Sequence, residues 1–160
     1  RVRGADVYDS HDYEQDPQRF RERHAGLADG KPYINDGSGW TEAEFLTGGI
    51  KWSIPYAGQP FFVSEFGGIW WNPDAREGDD SWGYGDRPES LEAFHSRFEG
   101  LVSVLLNDPN MFGYCYTQLT DVYQEQNGIY RFDRSSKFDA ARLRAVQTRE
   151  AAIELAHRRD

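Results

Sequence analysis

The chain has 160 residues and a formal net charge of −9, from 18 Lys and Arg against 27 Asp and Glu. This length suffices for one domain with a buried core, while the acidic balance argues against nucleic acid, whose phosphates are bound by clustered Lys and Arg. No apolar run approaches the roughly 20 residues of a membrane-spanning helix, and a single cysteine, Cys115, excludes an internal disulfide framework.

The first of three strand candidates is "ADVYDSHDY" (5–13), in which apolar and polar residues alternate. A helix is predicted to follow over "QDPQRFRERHAG", because Asp16 is a plausible N-cap and Pro17 suits the first helical turn. Gly26 is a possible stop for this helix.

The second strand candidate is "PFFVSEF" (60–66), a near-continuous apolar run typical of a strand that is covered on both faces. Alternation predicts that Phe61, Val63 and Glu65 share one face, with Glu65 at the end of the strand. After a long loop, apolar residues at helical spacing predict a helix over 88–108: Leu91, Phe94, Phe98, Leu101, Val102 and Leu105.

The third strand candidate is "MFGYCYTQL" (111–119), in which we expect Cys115 to be a small core residue. One helix is predicted over 139–160 from its apolar positions Leu143, Val146, Ile153 and Leu155. This order of elements predicts an α/β fold with a parallel sheet. Three strands do not close a barrel, so the chain is either a small open α/β unit or part of a larger barrel. In the second case its open sheet edges would pair with the remainder of that barrel or with a second copy of the chain.

Glu65 occupies an unusual position, at the end of the apolar strand and directly before two glycines and two tryptophans in "QPFFVSEFGGIWW" (59–71). The glycines permit a sharp turn and the close approach of a ligand. The residue types leave two interpretations open: a catalytic carboxylate, or a capping or salt-bridged glutamate. The five tryptophans, at positions 40, 52, 70, 71 and 82, indicate either core packing or a platform for a flat ligand such as a sugar ring.

The segments "DSHDY" (9–13), "VSEFGG" (63–68) and "GYCYTQLTDVYQEQNGIYRFDR" (113–134) together resemble the last three βα units of a glycoside hydrolase family 2 catalytic barrel. This is the family of bacterial β-galactosidases, β-glucuronidases and β-mannosidases. The resemblance covers essentially the whole chain, so it implies that residues 1–160 are the C-terminal portion of a (β/α)8 TIM barrel, strands six to eight with their helices. We predict no cofactor and assign no metal-binding residues, and we expect a soluble bacterial enzyme whose location, cytoplasmic or exported, the sequence does not decide.

The resemblance further implies a retaining exo-β-glycosidase in which Glu65 forms the covalent glycosyl-enzyme. Tyr13 would donate its hydroxyl to Glu65, and His11 would line the sugar subsite. The other substrate-binding residues that it implies are Trp70, Trp71, Thr117, Gln118 and Asn127.

The family's acid/base glutamate follows an asparagine at the end of strand four, and none of the loop glutamates here matches that position: Glu14, Glu42 and Glu125. We therefore expect these 160 residues alone to be inactive or nearly so.

Two departures from the family concern the sugar. Thr117 stands where many members carry a tryptophan that forms the floor of the sugar site, so we expect a more polar floor. The Asn-x-Lys sequence with which β-glucuronidases bind the uronate carboxylate is absent around Asn127, which favours a neutral sugar. In the same loop, Asp121 and Arg134 could form a charge pair that anchors the chain.

The alternative function is a non-catalytic carbohydrate-binding module that uses the tryptophan platform and never hydrolyses its ligand. The two functions differ in whether Glu65 reacts covalently with a sugar.

Overall fold

In the computed structural model of the protein, residues 4–35, 53–76, 78 and 80–158 are described. The predictions for Trp40, Glu42 and Trp52 lie outside these residues.

The sheet consists of three parallel strands in chain order: β1 (Tyr8–Asp12), β2 (Phe61–Gly67) and β3 (Met111–Thr117). Four α-helices lie in the described part of the chain: α1 (Pro17–His24) after β1, α2 (Leu91–Leu106) after β2, and α3 (Ala141–Gln147) and α4 (Ala152–His157) after β3. A short 3-10 helix spans Leu27–Asp29. The predicted α/β order with a parallel sheet is therefore confirmed.

The first helix begins at its predicted cap. The Asp16 carboxylate accepts hydrogen bonds from the backbone N–H groups of Gln18 and Arg19, both at 2.9 Å, and so satisfies two of the donors left free in a first helical turn. The helix ends at His24, two residues before Gly26. Ser90 caps α2 in the same way, through a bond from the N–H of Ala93 at 3.1 Å.

The core lies between the sheet and the helices. Phe61, Val63 and Phe66 of β2 are fully buried, and the ring of Phe66 packs against Phe20 of α1 and Tyr116 of β3, with centroids 6.0 and 5.6 Å apart. The helices thus cover one face of β2.

The prediction that Glu65 shares a face with Phe61 and Val63 was wrong, because the pairing of β1 with β2 shifts by one residue. Ser10 lies opposite Val63, but the next residue, His11, lies opposite Glu65 rather than Ser64. Ser64 is therefore an extra residue in β2. It turns Glu65 away from the face of Phe61 and Val63, towards the side of the sheet that the helices leave open. The Glu65 side chain is consequently 43% exposed.

The predicted helix over 139–160 is divided into α3 and α4. The Thr148 hydroxyl donates to the carbonyl of Arg144 at 2.9 Å, and the Arg149 guanidinium reaches the Ser103 hydroxyl of α2 at 2.8 Å. The chain is extended at Ala151, whose N–H donates to the Glu154 carboxylate at 3.0 Å and so starts a new helix. Side-chain bonds therefore override the apolar periodicity here.

Burial differs between the two halves of this segment. Leu143 and Val146 of α3 are buried, whereas α4 buries no residue and its Leu155 is 42% exposed. Cys115 of β3 is also exposed, so its assignment to the core was wrong. Within the described residues, every helix is too short or too polar to span a bilayer.

Replacing Phe66 should cost far more stability than replacing an exposed phenylalanine. We expect Phe66→Ala to lower the free energy of unfolding by about 3–5 kcal/mol, because it leaves a cavity among packed rings. Phe132→Ala is the matched control, since Phe132 is 60% exposed. It should change the free energy of unfolding by less than about 0.5 kcal/mol. Urea denaturation followed by tryptophan fluorescence measures both, and equal effects would contradict the core described above.

Candidate active site

The Glu65 carboxylate is held by one group from the neighbouring strand and one from the loop that follows that strand. Because β1 and β2 are parallel, their C-terminal ends lie side by side, which brings His11 and Tyr13 next to Glu65. The Tyr13 hydroxyl donates to Glu65 Oε2 at 2.5 Å, and His11 Nδ1 lies 3.1 Å from the same oxygen. Thr117, at the end of β3, lies 3.4 Å from the Tyr13 hydroxyl through its Oγ1. Four residues named from the sequence therefore meet at one end of the sheet.

The tyrosine in this cluster remains a hydrogen-bond donor at neutral pH. Burial, and then the bond to Glu65, raises the pKa of Tyr13 well above its ordinary value. The cluster thus presents a partly exposed carboxylate with one oxygen fixed by a phenol and an imidazole. A carboxylate oriented in this way can act as a nucleophile, as a general base or as a hydrogen-bond acceptor for a polar ligand.

Gly67 and Gly68 allow aromatic rings to pack directly on the backbone beside Glu65. Both have left-handed backbone conformations, with φ of 78° and 58°. A Cβ on Gly67 would lie 2.4 Å from the ring of Tyr116, and one on Gly68 would lie 2.4 Å from the ring of Tyr84. The sharp turn expected here is present, but the close approach is made by rings of the chain itself.

The tryptophans after the glycines lie in two different settings. Trp71 packs on Phe94 of α2 with ring centroids 6.1 Å apart, and the guanidinium of Arg87 lies 5.7 Å from its ring. Trp70 is half-buried, and its backbone packs closely on Gly83. Both belong to the loop after β2, which also contains Trp82 and Tyr84.

Trp82 and Tyr84 carry that loop back over Tyr13. The ring of Tyr84 is stacked on the ring of Tyr13 with centroids 3.4 Å apart and planes 5° apart, and Trp82 meets Tyr84 edge-on at 5.9 Å. Trp82 also exchanges backbone hydrogen bonds with the loop after β3, at Gln124 and Gln126, both 2.8 Å long. The loops after β2 and β3 are therefore joined above the sheet.

Gln118 and Asn127 bind each other. Gln118 Nε2 donates to Asn127 Oδ1 at 2.8 Å, and Asn127 Nδ2 donates to Glu125 at 3.1 Å. Asn127 is fully buried, and the peptide bond between Thr117 and Gln118 is cis. This pair ties the end of β3 to the loop that follows it.

The loop after β3 is anchored by a buried ion pair that the sequence did not indicate. Lys137 Nζ lies 2.5 Å from Asp121 Oδ1 and also donates to the carbonyl of Trp71 at 2.7 Å. The expected pairing of Asp121 with Arg134 was therefore wrong, since Lys137 takes that place. Burial lowers the pKa of Lys137, and Asp121 opposes this effect.

Like the Lys137 pair, the contacts of Gln15 were not indicated by any signal in the sequence. Its side-chain nitrogen donates to the carbonyl of Tyr13 at 3.1 Å and to the carbonyl of Gly67 at 2.5 Å, so it links the ends of β1 and β2. A cleft of about 840 Å³ lies beside it; Tyr13 and Tyr84 line this cleft, and Glu65 does not.

Nearby acidic residues are engaged in structural contacts. Glu14 lies 3.0 Å from the Arg23 guanidinium, and Asp12, whose side chain is fully buried, lies 2.5 Å from the same group. In the parts of the chain that the structure describes, no group of three or more His, Cys, Asp or Glu side chains is arranged to hold a metal ion.

No protein-family model matches the sequence, and no match was found among curated proteins. The similar solved structures include a Bifidobacterium dentium β-glucuronidase in complex with coumarin-3-O-glucuronide, at 17% identity and a TM-score of 0.49, which covers 88% of this chain and 20% of that one. A β-glucuronidase of Dictyoglomus thermophilum aligns at 16% identity and a TM-score of 0.48, over 92% of this chain and 23% of that one. The chain thus spans about a fifth of the length of these proteins, and similarity this low supports no assignment of family or activity.

Gly68→Ala should disturb the ring stack as well as the backbone. Gly58→Ala is the matched control, because Gly58 also has a positive φ, 86°, but has nothing within 4 Å of an added Cβ. We expect the control to lower the free energy of unfolding by about 1–2 kcal/mol through backbone strain alone. Gly68→Ala should cost more, since its Cβ would also displace Tyr84. Urea denaturation measures the difference, and equal costs would show that the rings yield freely.

Breaking the buried pair in the loop after β3 should be strongly destabilising. Lys137→Met leaves the Asp121 carboxylate buried without its cation, and we expect a loss of about 3–5 kcal/mol. Adding Asp121→Asn to Lys137→Met should restore part of that loss. Arg142→Met, which breaks the exposed pair with Glu92, is the control and should cost less than about 1 kcal/mol. Thermal denaturation by circular dichroism compares the three variants with the wild type, and a Lys137→Met protein as stable as the control would contradict this role.

Proposed function

We propose that the chain is the nucleophile-bearing part of a retaining β-glycosidase, with Glu65 as the nucleophile. The observation that carries the proposal is the double contact on one oxygen of Glu65, from the Tyr13 hydroxyl at 2.5 Å and His11 Nδ1 at 3.1 Å. A glutamate that only capped a backbone or balanced a charge would not require a phenol in addition to an imidazole. Its partial exposure leaves the carboxylate accessible to a substrate.

The proposed reaction has two steps. A Glu65 oxygen attacks the anomeric carbon of the sugar, the bond from that carbon to the leaving oxygen breaks, and a carboxylic acid protonates the leaving oxygen. Water, deprotonated by the same acid/base group, then attacks the anomeric carbon and releases Glu65 as a carboxylate. Tyr13 donates a hydrogen bond to Glu65 throughout and keeps it oriented, while His11 supports the same oxygen.

The acid/base group belongs, on this proposal, to the strands that complete the barrel. The loop glutamates described here already have partners: Glu14 binds Arg23, and Glu125 accepts from Asn127. In a retaining enzyme the two carboxyl groups lie about 5–5.5 Å apart. The three parallel strands, with their loops gathered at the C-terminal ends, are consistent with strands six to eight of such a barrel. These 160 residues alone would therefore bind a sugar weakly and hydrolyse none.

A neutral sugar is the proposed substrate. A uronate carboxylate is bound best by a free cation, and two of the three cations in the loop after β3, Lys137 and Arg131, are already paired, with Asp121 and with Asp74 at 2.7 Å. Thr117 and Gln118 would supply polar contacts from the end of β3, and the buried Asn127 would act by holding the Gln118 amide. Trp70 and Trp71 remain proposed contacts for the sugar face. The similar β-glucuronidases named above make a glucuronide the necessary comparison in any test.

Covalent labelling in the full-length protein tests the proposal. We expect a 2-deoxy-2-fluoro aryl glycoside of glucose, galactose or mannose to label Glu65, as detected by peptide mass spectrometry, and to label it faster than the matching glucuronide does. Glu65→Gln should abolish labelling, whereas Glu99→Gln, a change at an exposed helical glutamate, should not alter it.

Three outcomes would contradict parts of this proposal. Saccharide binding without labelling would favour the carbohydrate-binding module. Faster labelling by the glucuronide would overturn the proposal that the substrate is a neutral sugar. Hydrolysis of an aryl glycoside by residues 1–160 alone, abolished by Glu65→Gln, would overturn the external acid/base group.

A further inference from the structure

The stack of Tyr84 on Tyr13 is closer than aromatic pairs normally adopt. Its centroids lie 3.4 Å apart with planes 5° apart, which is a face-to-face arrangement with little offset. Aromatic rings prefer offset or edge-to-face contacts with centroids at about 4.5–7 Å, because their negative faces repel each other. The attraction between the two rings therefore does not explain this geometry.

The backbone imposes the stack instead. The N–H of Tyr84 donates to the carbonyl of Gly68 at 2.9 Å, and Tyr84 forms a parallel bridge with Ile69. These contacts hold the Tyr84 ring over the backbone of Gly68, where a Cβ would clash with it and would lie 3.2 Å from the ring of Tyr13. The glycine after β2 thus leaves room for a ring whose position is set by the main chain.

Tyr13 needs such support because it lies beyond the last residue of β1. Its backbone is tied to β2 by Gln15, which bridges the carbonyls of Tyr13 and Gly67. One face of its ring packs on Tyr84, and its hydroxyl donates a hydrogen bond to Glu65. The contacts form a continuous chain from Gly68 through Tyr84 and Tyr13 to the carboxylate.

We infer that Tyr84 is a positioning residue for the nucleophile: its ring holds Tyr13 so that the Tyr13 hydroxyl orients Glu65 for attack on the sugar. The inference rests on the proposed function, in which Glu65 is the nucleophile. It differs from a lid or subsite role for Tyr84, because the effect passes entirely through the hydroxyl of Tyr13. A misplacement of about 1 Å in a reacting group can cost about 100-fold in rate, so a loosened Tyr13 has a measurable consequence.

A double-mutant cycle in the full-length protein tests this inference. The rate measured is the covalent labelling of Glu65 by the fluoro glycoside that labels the wild type. We expect Tyr13→Phe and Tyr84→Leu each to lower this rate by about 10- to 100-fold. The double variant should be no more than about 3-fold slower than Tyr13→Phe alone, because Tyr84 has nothing left to orient once the hydroxyl is gone. Multiplicative losses, the result of a structural or substrate-binding role, would overturn the inference.

Three further variants sharpen the test. Tyr84→Phe keeps the ring, so its labelling rate should stay within about 3-fold of the wild-type rate. A rate as low as that of Tyr84→Leu would contradict positioning by the flat face of the ring. Tyr123→Leu is the matched control, because it removes an exposed tyrosine stacked on Phe132 at 5.2 Å, and it should not change the rate. If Tyr84→Leu does not fold, the same cycle is run with Tyr84→Met, which fills the space without a flat face.

The outcomes separate this inference from the proposed function. A wild type that is never labelled at Glu65 would overturn the proposed function and this inference with it. A labelled wild type whose Tyr84 variants keep the wild-type rate would overturn this inference alone.

Discussion

A one-residue slip between β1 and β2 determines where the groups of the candidate site lie. The strands pair residue for residue up to Ser10 and Val63, and then His11 lies opposite Glu65, which leaves Ser64 as the extra residue. Because side chains alternate along a strand, this bulge turns Glu65 to the open face and returns Phe66 to the core. Without it, Glu65 would share the face of Val63, where the helices exclude water and an unpaired carboxylate would be costly.

The orientation of that carboxylate then depends on contacts beyond the sheet. Tyr13 lies in the loop after β1, so neither strand geometry nor pairing fixes its ring; the loop after β2 does so through Tyr84. That loop is held in turn by the loop after β3, whose own anchor is the buried pair of Lys137 and Asp121. Rigid support of this kind is what a preorganised site requires, because a group held in position pays no reorganisation cost when it reacts.

The sequence predicted the elements well because their signals are local. The Asp16 cap, the periodic apolar residues of α2 and the apolar run of β2 each act within a few neighbouring residues, and each element formed where expected. The cluster of Glu65 with Tyr13 and His11 was also expected, from family resemblance rather than from spacing. Two of the errors share another cause, since each depends on a contact distant in the chain. The bulge at Ser64 is visible only in the register with β1, and Lys137 reaches Asp121 only once the loop after β3 has closed.

The contacts that orient Glu65 all come from this chain, whereas a retaining hydrolysis requires a second carboxyl group close by. The face of the sheet that carries Glu65 also carries Phe62, which is only partly buried, and the exposed Asp9. In the proposed barrel this face becomes the interior, so the strands that cover Phe62 are the same strands that bring the proton donor. Burial of that face and completion of the site would then be one event. A nucleophile oriented in advance by its own loops would become reactive only when the sheet closes around it.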